Sequence, residues 1–250
     1  MACSLPPEIL DLIVDHLRDK PSALKKCCIL SKSWVPRTRR YLFARIRFHY
    51  ARRSIESWKL AFPDPSNSLA HHARTLSFRE QNPSALADPG VGCWIRALHH
   101  VEYLRVNTLG RSHGVSFVQF HGFSPTLRSL TLTHTSIPLQ KIFNLICSFP
   151  LLEDLGLITV SPKGDADGWN IPSTSPKLTG YLKVNGGLRS VARRLCDLPS
   201  GLHFSKIRVS HDNEEPTSAT DLVSRCSDTL KSLIISHYAS GAFFPASVIS

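Results

Sequence analysis

The chain has 250 residues, 42 % of them apolar and 20 % charged, enough length and apolar surface to bury a core, which excludes a wholly disordered chain. Thirty Lys and Arg face nineteen Asp and Glu, a net charge of +11, the balance of a nucleic-acid or acidic-protein binder. That excess is local: residues 18–53 hold twelve Lys and Arg against Asp19 alone, and the rest of the chain is neutral.

No run approaches the roughly 18–20 consecutive apolar residues that span a bilayer. Glu8, Asp11 and Asp15 interrupt the first seventeen residues, so that segment does not read as a secretory signal. The seven cysteines are an odd number and no C-x-x-C occurs, which argues against a zinc ribbon or a thioredoxin-type motif. Asn82 is followed by Pro83, so no N-x-S/T sequon survives. A reducing cytoplasmic or nuclear location is expected.

In chain order, Leu5-Pro6-Pro7-Glu8 opens a first helix, with proline in its first turn and Glu8 at the positive end of its dipole. Ile9, Ile13 and Leu17 follow at spacings of four, with Leu10 and Val14 beside them, an apolar stripe on one face. Asp19 to Ser22 read as a break. A second helix is predicted from about Ser22 to Leu30, carrying Leu24, Cys27, Cys28 and Leu30. Ser31 then caps a third, with Pro36 in its first turn and Trp34, Tyr41, Leu42 and Phe43 as its apolar residues. Three short helices bury little surface alone and lean on a partner or on the next domain.

The series Leu5-Pro6-x-Glu8-Ile9-Leu10, Ile13, Leu17, Leu24, Leu30-Ser31-x-x-Trp34 resembles an F-box over residues 4–45. The resemblance implies docking on Skp1, the adaptor of cullin-RING ubiquitin ligases. It assigns Leu5, Pro6, Ile9, Ile13, Leu24, Leu30 and Trp34 to the motif's apolar positions, some facing the adaptor and others the motif's own core. Periodicity alone favours a helical cap on the following domain; the motif favours an adaptor-binding module. The basic run reads as a solvated face, or as a surface for an acidic partner or nucleic acid.

From residue 46 to 250 a pattern of apolar-x-x-apolar-x-apolar recurs. Its central residues fall at 46, 76, 104, 130, 155, 182, 207 and 233, intervals that after a first of 30 all lie within the 20–29 residues of leucine-rich repeats. Ser54–Phe62, Trp94–Leu98, Pro138–Phe149, Leu188–Leu198 and Ala219–Leu230 are predicted as connecting helices, with Pro63, Pro83, Pro125, Pro150, Pro162, Pro172 and Pro216 as breakers between them and the strands. The family's Asn or Cys after the strand is replaced by Thr135, Val160 and Tyr238, so the repeats are irregular. The expected fold class is α/β: an N-terminal three-helix F-box followed by a leucine-rich-repeat solenoid of parallel strands with outer helices. A doubly wound sheet is the rival, but no Gly-rich phosphate loop supports it. The last fifteen residues supply no polar capping helix. A chain shortened at its C-terminus is expected, the alternative being that Phe243, Phe244, Val248 and Ile249 fold back as a lid.

In such a solenoid the residues between the apolar points project from the inner curve. The residue after each central apolar point, with those two before and two after it, gives 24 positions, which carry Arg45, Arg47, Arg79, Arg105, Lys183, Lys206 and Arg208 against Asp154 alone. Tyr103 and Tyr181 stand beside Arg105 and Lys183, and aromatics with Arg are typical of binding patches. Arg79, Tyr103, Arg105, Tyr181, Lys183, Lys206 and Arg208 are therefore the candidate contacts for an acidic or phosphorylated protein substrate. Exposed basic residues on strands also occur without any ligand.

Catalytic and metal motifs are wanting. Gly90-x-Gly92 lacks a third glycine and a preceding strand. Lys163–Gly168 resembles part of a calcium loop without its downstream Glu. No G-x-S-x-G occurs. The tandem pairs His71-His72 and His99-His100 point different ways in a regular element. His134, His211 and His237 share a phase without a carboxylate or cysteine beside them. The sequence therefore reads as a non-enzyme with no cofactor and no metal. The expected function is that of a substrate-recognition adaptor, the F-box holding a Skp1-like partner and the repeats holding a protein. The alternatives are a nucleic-acid binder using residues 18–53, whose Trp34, Tyr41, Phe43, Phe48 and Tyr50 fit core positions better than base stacking, or a repeat scaffold outside any ligase.

Overall fold

The computed structural model describes residues 6–49, 51–64, 69–80, 89–108, 118–135, 137–160, 170, 173–186, 188–211, 217–239, 242–243 and 247–249. Leu5, Asn82, Lys163–Gly168 and Phe244 lie outside these residues.

The N-terminal head consists of α1 (Pro7–His16), α2 (Pro21–Leu30), a 3-10 turn (Lys32–Trp34) and α3 (Val35–Leu42). Proline occupies the first turn of all three helices, where its missing N–H costs nothing. The Ser31 hydroxyl caps the 3-10 turn by accepting the Ser33 N–H. The buried residues of the head are Val14, Leu24, Cys27 and Thr38. On α1 the inward line is centred on Val14, with Leu10 and Leu17 half-buried beside it, rather than on the Ile9–Ile13–Leu17 stripe expected from sequence: Ile13 is half-buried and Ile9 is 42 % exposed. The helix carries too many aliphatics for one face, so the surplus points outward. Arg37 ties α3 to α1, donating to Asp11 Oδ2 at 2.7 Å and to Asp15 Oδ2 at 2.9 Å; Tyr41 donates to Asp15 Oδ1 at 2.6 Å. The Arg37 guanidinium and then the Tyr41 hydroxyl hold the Asp15 carboxyl below the ordinary Asp range.

Eight strands follow: β1 (Arg45–His49), β2 (Thr75–Glu80), β3 (Tyr103–Thr108), β4 (Ser129–Thr133), β5 (Asp154–Ile158), β6 (Tyr181–Asn185), β7 (Lys206–His211) and β8 (Ser232–Ala239). Each pairs in parallel with the next in sequence order. The eight central residues of the sequence repeat lie on one line across the sheet, Ile46 opposite Leu76, Leu104, Leu130, Leu155, Leu182, Ile207 and Leu233. A doubly wound sheet would reverse its strand order at a switch point; this one never does. Two short strands, β9 (Ala242–Phe243) and β10 (Ser247–Ile249), pair antiparallel with β8.

The connections hold α4 (Ala51–Ala61), α5 (Pro89–Arg96), α6 (Leu139–Cys147), α7 (Leu188–Cys196) and α8 (Thr217–Arg225), with 3-10 turns at Leu69–His72 and Val118–Phe123 that the periodicity did not suggest. α5 starts and ends earlier than the predicted Trp94–Leu98, and α8 stops at Arg225 rather than continuing to Leu230. The helices pack on one face of the sheet, in one continuous core that joins Ile55, Ile95, Phe143, Val191 and Leu222 to the buried strand residues. Phe48 stacks on Phe78 at 5.5 Å, and Phe120 lies 5.5 Å from Phe78, so aromatic rings pass the core from one repeat to the next. At the head, Phe43 meets Trp58 and Phe62 edge-on at 6.0 and 6.3 Å. The face of the sheet that the helices leave uncovered is the inner face.

Two backbone ladders keep the repeats in step. Before β2, β3, β4 and β5, one carbonyl accepts two successive N–H groups of the next repeat: Ala44 from Arg74 and Thr75, Arg74 from Glu102 and Tyr103, Glu102 from Arg128 and Ser129, Arg128 from Glu153 and Asp154. After the strands, His134, Thr159 and Gly186 take positive φ values of 54°, 52° and 75° and donate their N–H groups to Ile158, Asn185 and Ser210. The shared phase noticed for the histidines thus marks, at His134, an exit turn. His134 is exposed, and no cluster of three or more metal-ligating side chains occurs among the described residues.

Candidate functional site

Two surfaces stand out. The first lies on the head. Among the described residues, seven large apolar side chains are exposed, and four of them belong to α1 and α2: Ile9, Leu12 (65 %), Ile29 (86 %) and Leu30 (74 %). Scattered single aliphatics need no explanation, but this concentration within two ten-residue helices does. Of the positions singled out from sequence, Pro6, Ile9 and Leu30 are exposed, while Ile13 and Trp34 are half-buried. Leu24 is fully buried and belongs to the head's own core, so it offers no contact to a partner. Leu5 lies outside the described residues. Leu12 and Ile29 were not singled out, although the excess of aliphatics over one helix face already required some to point outward.

The second surface is the inner face of the sheet. Alternation along the strands turns Ile46, Phe48 and their equivalents into the core and leaves the residues between them uncovered, apart from Gly156 in β5, which is buried. The central row is Arg47, Ser77, Arg105, Thr131, Gly156, Lys183, Arg208 and Ile234, each opposite the next. Over β1–β4 this face forms a trough of about 740 Å³, lined among others by Arg45, Arg47, His49, Arg79, Tyr103, Arg105 and Asn107. Among the described residues, no carboxylate lines it. Asn107 Oδ1 is buried there without a hydrogen-bond partner, and Tyr103 is 45 % exposed. His49 and Asn107 were not among the sequence-derived candidates; they share the inward phase, and only their charge-neutral chemistry hid them.

Over β6 and β7 the face carries Tyr181, Lys183, Lys206 and Arg208. The Lys206 ammonium sits 5.3 Å from the centre of the Tyr181 ring, a cation–π contact. Partial burial, with Arg208 and Arg105 adding repulsion, holds the Lys183 amine below the ordinary Lys range. Arg208 Nε is buried without a partner. Asp154, on the same face, turns a carboxylate oxygen to the backbone, accepting the Tyr181 N–H at 2.7 Å.

The basic segment 18–53 does not act as one unit. Arg37 is held between Asp11 and Asp15. Arg45 lies 3.5 Å from Asp19, with both side chains largely exposed, a pair of little energetic weight. Arg45 and Arg47 belong to the inner face, while Lys20, Lys25, Lys26, Arg39 and Arg40 are exposed on the head.

Where the head meets the repeats, His71 and His72 lie ring to ring at 3.8 Å, and His99 and His100 at 4.3 Å. The cysteines of the described residues are free thiols. Burial pushes Cys147 up to about 11 and raises Cys196 and Cys226 as well, which keeps them protonated and poor as nucleophiles. No helix among the described residues is long and apolar enough to cross a membrane. No family model matches the chain, and no curated protein resembles it closely enough to count as a relative.

Proposed function

We propose that the chain is a substrate-recognition adaptor of a Skp1–cullin–F-box ubiquitin ligase. In this reading the helical head docks on a Skp1-like partner, and the repeats present an acidic or phosphorylated protein on their inner face. The observation that carries it is the pairing of two surfaces on one chain: outward aliphatics on α1 and α2, within the segment that resembles an F-box, and an uncovered basic sheet face behind it. The chemistry of ubiquitin transfer belongs to other subunits; this chain contributes proximity, which raises the effective concentration of substrate at the transfer site.

Exposed Ile9, Leu12, Ile29 and Leu30 supply the apolar anchors that the centre of a protein interface requires. Arg47, Arg79, Arg105 and Arg208 supply planar forks suited to carboxylates and phosphates. Nucleic acid is the weaker reading, because Trp34 and Phe48 pack into the fold rather than standing free for bases.

The test is co-purification with a Skp1-like protein and a cullin, comparing the native chain with Ile29→Asp/Leu30→Asp. Both side chains are exposed, so the variant folds. Loss of the adaptor with an unchanged melting temperature is the expected result; equal recovery by both proteins overturns the proposal.

A further inference from the structure

We propose that the edge of the sheet where the head meets the repeats, carrying Arg39, Arg40, Arg74 and the two histidine pairs, is a proton-gated docking strip for a run of Asp and Glu residues on a partner protein. Its side chains are neither the exposed aliphatics of α1 and α2 nor those that line the trough over β1–β4.

The repeat itself builds the strip. His71 and His72 stand five and four residues before Leu76, and His99 and His100 five and four before Leu104. Leu76 and Leu104 are cross-strand partners, so the two pairs are repeat equivalents on the edge from which the strands start. The layer before them is the end of α3, which packs against the 3-10 turn of His71 and His72 and leaves Arg39 and Arg40 exposed. On the far side the Thr126 hydroxyl donates to the His99 carbonyl at 3.2 Å and to the Val101 carbonyl at 2.9 Å, which fixes the second pair from the next repeat. Within each pair the rings lie against each other, at 3.8 and 4.3 Å between centres. His71 and His99 are exposed, and His72 and His100 are half-buried.

The neighbouring acids are engaged. Glu102 accepts the Arg74 guanidinium at 3.1 Å, and Asp15 takes Arg37 and Tyr41. Among the described residues neither Arg39 nor Arg40 joins an ion pair. Burial first, then His71, Arg40, Arg39 and Arg74, opposes a positive charge on His72. Burial, then His99, Arg74 and His71, opposes one on His100, with Glu102 favouring it. The free protein thus keeps these imidazoles neutral at a pH where ordinary ones begin to charge.

A run of carboxylates laid along the strip reverses that balance. Arg39 and Arg40 offer planar forks that carboxylates fill two bonds at a time, the chemistry by which Arg clusters read acidic motifs. His72 and His100 then take up protons as the segment binds, adding charge where the ligand's own charge lies. Affinity therefore rises as pH falls below about 6.5, while Asp and Glu, with ordinary values of about 4, stay ionised. A single-stranded nucleic acid needs free aromatic faces in series; Tyr41, at this end of α3, is half-buried and bonded to Asp15.

The test is fluorescence anisotropy on the purified full chain at about pH 8 and about pH 5, the two ends of the window in which histidine titrates. The probes are an alternating Asp-Glu peptide, its Asn-Gln counterpart and an oligo-uridylate, each with a rhodamine label. The acidic peptide should bind at least about tenfold more tightly at the lower pH, the change produced by raising one histidine by one pH unit, and the neutral peptide should bind at neither. His72→Gln/His100→Gln should remove most of that gain. Arg39→Gln/Arg40→Gln should weaken binding at both pH values, and Lys183→Gln/Arg208→Gln, on the inner face, should leave the gain intact. Circular dichroism at each pH checks the fold of every variant. Calorimetry of the native chain in two buffers of different ionisation enthalpy should show net proton uptake on binding, a readout that needs no variant. No binding of the acidic peptide, zero proton uptake, or a gain undiminished in His72→Gln/His100→Gln overturns the proposal and leaves the adaptor and inner-face reading standing. Tighter binding of oligo-uridylate than of the acidic peptide, lost in Arg39→Gln/Arg40→Gln, overturns it in favour of nucleic acid.

Discussion

The Asp154 carboxylate and the Tyr181 backbone N–H, 2.7 Å apart, close the one gap in an otherwise regular ladder of carbonyls. At this step the Glu153 carbonyl accepts only the Gly180 N–H, and a side chain takes the place of the missing backbone bond. Gly180 makes that possible, because a Cβ there would run into Asp154 Oδ1. Gly180→Ala should therefore destabilise the repeats by about 1–3 kcal/mol, the usual cost of forced overpacking. Asp154→Ala should cost about 1–3 kcal/mol through the orphaned N–H. The double variant should cost clearly less than the sum, because removing the carboxylate also removes the clash. Urea unfolding of the four proteins measures this; strict additivity would contradict the account.

The clamp between α1 and α3 gives the head an acid limit. Asp15 titrates below its ordinary value because Arg37 and Tyr41 hydrogen-bond its charged form. A carboxyl depressed in the folded state contributes stability that is fully present above its unfolded value of about 3.9 and is lost as pH falls through the folded one. Helical signal from the head should thus hold down to about pH 4 and fall below it. Asp15→Asn should remove the titration, and Tyr41, whose hydroxyl donates to Asp15, should titrate above its ordinary value only in the native protein. Fluorescence of Trp34, in the 3-10 turn before α3, follows both.

The histidine pairs set a second, higher limit at the junction. Burial first, then the neighbouring His71 with Arg40, Arg39 and Arg74, lowers His72; burial, His99 and Arg74 lower His100. A histidine depressed in the folded state takes up a proton more readily when unfolded, so stability rises with pH through the window and is fully present above the unfolded value of about 6.5. The midpoint of denaturation should drop as pH falls below about 6.5, and His72→Gln/His100→Gln should flatten that slope. An unchanged slope would contradict the assignment.

The strands were legible in the sequence because each repeat states its core twice, in the apolar triplet and in the near-constant interval. Arg47, Arg105, Lys183 and Arg208 fall on one row for the same reason: fixing the buried phase fixes the opposite one. The connections were less legible, since a 3-10 turn such as Val118–Phe123 lacks the length for a helical period to show. On the head, the motif ranked Leu24 beside Leu30, yet one is fully buried and the other 74 % exposed. A spacing rule marks apolar positions without saying which way a short helix is rolled; on α2 the roll buries Leu24 and Cys27 and sets the Cys28 thiol against the Thr38 hydroxyl, leaving Leu30 outside. Asp154 shows the converse: counted by charge it opposes the basic face, whereas its geometry makes it part of the backbone ladder.

The central claim is that the chain joins two proteins through separate surfaces, and hydrogen exchange by mass spectrometry on the full chain with a purified Skp1-like adaptor tests it most directly. The account predicts slowed exchange in α1 and α2, around Ile9, Leu12, Ile29 and Leu30, with β3, β6 and β7 unchanged. Protection of the inner strands with α1 and α2 unaffected, or no protection anywhere at saturating adaptor, would contradict it.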